Sequence, residues 1–157
     1  MDYQQIKMKT LEGKKLSRLK SYIAETKSVL KNSLHINPLI KKNQKNSERE
    51  IRYYAINSCL TKLNHYIDLT FEVAGFSEEE INKNVFTGEK VVSLLKFIDF
   101  SIHNNKINMK TLKDREFCIF SDAEHTNLFL LQAKHEMLVY GDIKTWIINS
   151  LSYKEYI

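Results

Sequence analysis

Three times the chain places Ser-x-x-Glu directly ahead of an apolar run, with Ser47 and Glu50, Ser77 and Glu80, and Ser121 and Glu124. In a capping box the serine oxygen accepts the backbone N–H three residues on, and the glutamate accepts the serine's own N–H. Each copy therefore marks a helix start. The stops agree: Gly75 follows Phe71, Val73 and Ala74, and Gly141 follows Leu138, Val139 and Tyr140, where a left-handed residue closes a helix. Pro38 is the only proline, and glycine occurs only at 13, 75, 88 and 141. So few turn residues argue against many short strands joined by tight turns. The expected fold class is all-α: a single-domain bundle of five or six helices over residues 1–157, with two long antiparallel helices.

Residues 14–34 set Leu16, Leu19, Ile23, Thr26, Leu30 and Leu34 at spacings of three and four, one stripe along a helix. Gly13 interrupts the pattern, which leaves residues 1–13 as a mobile tail or a separate turn. Residues 35–46, with Pro38 and a polar run, read as a flexible connection. The second long helix runs from Ser47 to Ala74 with Ile51, Tyr54, Ala55, Cys59, Leu63, Tyr66, Ile67 and Thr70 on one face and Ile56, Leu60 and Phe71 beyond it. A short helix opens at Ser77, and Val85 to Gly88 turns the chain. A core helix follows over 89–103, stopped by Asn104 and Asn105. Phe117-Cys118-Ile119-Phe120 is the only run resembling a strand and is expected to be a buried extended connector. A helix from Ser121 to Tyr140 then breaks at Gly141, and Asp142 caps a last helix carrying Ile143, Trp146, Ile147, Leu151 and Tyr153.

The chain has 157 residues, 43% of them hydrophobic and 27% charged, the balance of an ordinary globular domain rather than a disordered one. The opening residues lack the apolar core of a signal peptide, and Lys90, Lys96 and Asp99 interrupt the greasiest region before it reaches the length of a membrane span. The expectation is a cytoplasmic (intracellular) protein that does not enter a membrane. Cys59 and Cys118, far apart in apolar surroundings, read as reduced core residues.

No signature of catalysis stands out. Glycine-rich phosphate loops, Gly-x-Ser-x-Gly and His-Glu-x-x-His are all absent. The five histidines raise a metal reading, but Asp122-x-x-His125, His65-x-x-Asp68 and Gln132-x-x-His135 are incomplete versions of the Glu-x-x-His pairs a di-iron bundle needs. No cofactor and no metal ligand are assigned. A metal-dependent bundle enzyme stands only as a second alternative.

Charge is unevenly spread. Residues 1–45 hold eleven Lys or Arg against three acids, and residues 46–157 hold thirteen against sixteen. A basic flank on the first long helix suits an anionic partner. The preferred reading is a non-enzymatic interaction protein, a regulator, adaptor or inhibitor, that binds a protein with an acidic surface. Lys14, Arg18, Lys20, Lys27, Lys31, Lys41 and Lys42 would steer it, and Trp146, Tyr153 and Tyr156 on the final helix would anchor it. The alternative is a nucleic-acid-binding protein that contacts phosphates through the lysine-rich segment 7–45.

Overall fold

The computed structural model describes residues 2–36, 48–113 and 123–153. Among these residues are six helices and three short strands, in the order α1 (Tyr3–Lys7), β1 (Lys9–Glu12), α2 (Gly13–Ile36), α3 (Glu48–Thr70), α4 (Glu78–Asn82), β2 (Val85–Thr87), α5 (Gly88–Lys113), α6 (Ala123–Ser150) and β3 (Ser152–Tyr153). The all-α class holds; α2 and α3 are long and antiparallel as expected, but α5 and α6 are longer still, at 26 and 28 residues. Lys41, Lys42, Ser47, Phe117–Phe120, Ser121 and Tyr156 lie outside the described residues.

The middle capping box forms as its sequence implies. Ser77 Oγ accepts the Glu80 N–H at 3.2 Å, and Glu80 Oε1 accepts the Ser77 N–H at 3.3 Å. The stop expected at Gly75 does not close a helix: α3 ends at Thr70 rather than Ala74, the left-handed residue just past its end is Glu72 at φ 58°, and Gly75, left-handed at φ 79°, lies in the loop before α4. The apolar stripes also meet where the periodicity puts them: Leu16, Leu19 and Ile23 of α2, Leu63 and Ile67 of α3, and Leu94, Leu95 and Ile98 of α5 share one buried cluster with Ile143 and Ile147 of α6. Lys20 of α2 donates to Asn64 of α3 at 3.2 Å and pairs with Asp68, as an antiparallel crossing allows.

Four further expectations are corrected. First, residues 2–12 are built into the fold. Asp2 and Gln5 cap α1 with reciprocal bonds of 2.9 and 3.1 Å, Ile6 and Leu11 are buried, and Tyr3 donates to Asp99 of α5. Second, strands occur outside the single run expected. β1 is the middle strand of an antiparallel sheet ordered β2-β1-β3, with Leu11 opposite Phe86 and Thr10 opposite both Thr87 and Ser152. Leu11 and Phe86 point inward together, and Phe71 meets Phe86 edge to face at 4.9 Å. Third, α5 passes through Asn104 and Asn105 to Lys113. Fourth, Gly141 lies inside α6 and Asp142 caps nothing there. Helix-interior glycine costs about 1 kcal/mol, and burial of Tyr140, Ile143 and Ile147 on either side outweighs it.

Candidate functional site: a cleft between α2 and α6

Helix α2 has two polar flanks with different fates. At about 100° per residue, Lys20, Lys27 and Lys31 share the flank toward α3. Lys20 is engaged there by Asn64 and Asp68, Lys27 is half-buried and Lys31 is exposed. The other flank carries Lys14, Arg18, Ser21, Tyr22, Glu25 and Val29, all exposed. Leu19, next to this flank, is buried.

Helix α6 passes alongside. Lys15 donates to the Ser150 carbonyl at 2.8 Å and so satisfies one of the carbonyls left open at the end of α6. Farther along, the two helices leave a cleft of about 470 Å³ lined by Arg18, Leu19, Tyr22, Asp142, Ile143 and Trp146. Its floor is the buried pair Leu19 and Ile143. Its walls are aromatic, with Tyr22 at 55% and Trp146 at 37% exposure. Arg18 and Asp142 stand at its rim, and neither has an ion-pair partner among the described residues.

The cleft joins two of the residues singled out by sequence, Arg18 and Trp146, which are 128 positions apart. Tyr153 is elsewhere. Helix α6 ends at Ser150, and Ser152 and Tyr153 turn into the sheet against Lys9 and Thr10, so Tyr153 does not continue the Trp146 face. Its ring is 80% exposed under the Lys9 ammonium, 4.4 Å from the ring centroid. Tyr22 and Asp142 were missed as site residues. The signal for Tyr22 was available, since it follows Arg18 by one turn outside the apolar stripe. Asp142 was hidden by the expected break at Gly141.

The buried titratable groups hold their protons tightly. Burial, with Glu136 nearby as a lesser cause, pushes the Cys59 thiol from 9.0 up to about 12. A thiol held protonated is a poor nucleophile. Tyr140, beside it, is raised as well, again chiefly by burial. Tyr3 is pushed up to about 12 by burial and by its hydrogen bond to Asp99, which also accepts from Lys144 at 2.6 Å. Among the described residues no three His, Cys, Asp or Glu side chains come together as a metal site, and Asp68 of the His65-x-x-Asp68 pair faces Lys20 instead. No helix among these residues is long and apolar enough to cross a membrane.

No family model matches the chain, and neither the curated proteins nor the solved structures contain a significant match to it.

Proposed function

We propose that the protein is a non-catalytic helical recognition module that binds another protein through the cleft between α2 and α6. The observation that carries this reading is the meeting of Trp146, Tyr22 and Arg18 around an apolar floor. These three residue types dominate the energetics of protein interfaces, because each covers much area, or offers many donors, for little lost conformational freedom. The cleft is mainly apolar and half open, which suits a side chain presented by a partner's surface. An oppositely charged pair at the rim would orient that partner more than it would strengthen the complex.

A phosphate-tracking surface has less support. Lys15, Lys20 and Lys144 bond within the molecule, Lys9 lies over Tyr153, and the exposed cations of α2 are split between two flanks. The steering role expected for Lys20 is weakened for the same reason, and Arg18 with Lys14 takes it over in this proposal.

The test is photocrosslinking in the cells that make the protein, with a photoreactive residue replacing Tyr22 and, as a control, Glu79 on α4. A discrete protein adduct at position 22, lost when Trp146→Ala is added, is the expected result. Adducts to nucleic acid alone, or protein adducts indifferent to Trp146→Ala, would defeat the reading.

A further inference from the structure

We infer that the partner seated on this cleft is a second copy of the same chain, related by a two-fold axis, an inference that rests on the recognition reading above. The exposed flank of α2 is the basis. Lys14, Arg18, Ser21, Tyr22, Glu25 and Val29 fall within an arc of about 100° and extend along about 22 Å of helix at 1.5 Å per residue. All six are exposed, and the stripe has no partner among the described residues.

The order of charge along the stripe is what selects the occupant. It runs from the cations Lys14 and Arg18, through Ser21 and Tyr22, to the anion Glu25. None of the three charged groups is ion-paired among the described residues. Turned end for end about a point between Ser21 and Tyr22, the stripe lays Arg18 against Glu25 of the partner subunit, and Glu25 against the partner's Arg18. A two-fold interface needs this property: residue i meets residue j and j meets i. Asp142 repeats the pattern on the α6 side of the cleft, where its carboxylate would repel the uniformly acidic surface otherwise suited to Arg18. The same rotation carries each Tyr22 toward the other copy's Trp146, so that aromatic area is covered at the centre and charge pairs at both ends. That is the usual layout of an interface with a buried centre and a polar rim.

Sedimentation velocity tests the inference, from low micromolar protein up to about 0.2 mM, a range that captures dimers of micromolar affinity. The wild-type chain is expected to dimerise. Arg18→Glu and Glu25→Arg should each weaken the dimer by roughly tenfold or more, because each sets two pairs of like charges in contact. An equimolar mixture of the two variants should dimerise again, since each charge then meets its opposite. That rescue is specific to reciprocal pairing. Both positions are exposed, and circular dichroism verifies that the variants fold.

A wild-type chain that stays monomeric at the top concentration overturns the inference, as does a dimer untouched by either substitution. The broader reading is judged separately. Crosslinking at position 22 to a different protein, with Trp146 required, would keep protein recognition and remove self-association, and absence of any protein adduct would remove both.

Discussion

Gly13 lies flush against the backbone of Ile81: a Cβ at that position would overlap the Ile81 carbonyl oxygen and stand 2.7 Å from the carbonyl oxygen of Asn84. The Gly13 N–H also donates to Asn84 at 2.8 Å, so the start of α2 is pressed onto the chain leaving α4. Gly88 makes an equivalent approach, where a Cβ would overlap the Ile6 carbonyl oxygen. Backbone atoms cannot swing aside as a side-chain tip can. Gly13→Ala and Gly88→Ala should therefore each destabilise the protein by about 1–3 kcal/mol or more. Gly141→Ala should stabilise by about 0.5–1 kcal/mol, because that position is helical and open. Urea denaturation of the three variants checks this, and a neutral Gly13→Ala would contradict the close approach.

Leu11 is fully buried on the middle strand, where it faces Phe86. Its truncation opens a cavity beneath both flanking strands. Leu11→Ala should cost about 2–5 kcal/mol, whereas Val85→Ala, one position from Phe86 but 64% exposed, should change stability by less than about 0.5 kcal/mol. Thermal or chemical melts of the two variants separate a sheet with an inward face from a loose N-terminal tail.

Lys20 and Asp68 have about a quarter or less of their side chains exposed, which screens the pair only in part. Lys20→Met should lose about 1 kcal/mol, a charge-assisted bond discounted for its exposure. Lys31→Met, on an exposed lysine of the same flank, should be neutral. A double-mutant cycle with Asp68→Asn measures the coupling, and coupling near zero would return Lys20 to the free surface.

Alkaline pH should loosen the fold. Tyr3 and Cys59 hold their protons more tightly in the folded chain than in the unfolded one, with Cys59 raised from 9.0 and Tyr3 from 10.0, each to about 12. A raised pKa of an acid that is neutral when protonated favours the fold below the unfolded value, and that contribution disappears as pH climbs through the folded one. Stability should thus be level below about pH 9 and fall between about 9 and 12. Melts across this window should show the decline, and Tyr3→Phe and Cys59→Ala should each flatten it. In a Cys118→Ser background the Cys59 thiol should react with a thiol reagent only as fast as the protein opens.

The outcome for each element follows from the range over which its signal acts. The Ser77 and Glu80 box and the periodic faces of α2, α3 and α5 depend on contacts within a turn or two, and these were readable in the sequence. The strands were not. β1 and β3 are four and two residues long, too short for an alternating pattern, and Thr10 pairs with a residue as distant in sequence as Ser152. Gly141 misled because a local break signal was outweighed by distant burial, and Asn104 and Asn105 did so for the same reason.

By itself, then, the sequence determined a helical protein, the apolar stripes that make its core, and an excess of cations toward its beginning. Tertiary packing decided which cations remain available: it joined Lys20 to Asp68 and Lys15 to Ser150, and it left Arg18 beside Trp146. Local periodicity says which way a side chain faces on its own helix, but an ion pair or a cleft belongs to two helices at once, and their relative placement is written in no single stretch of chain.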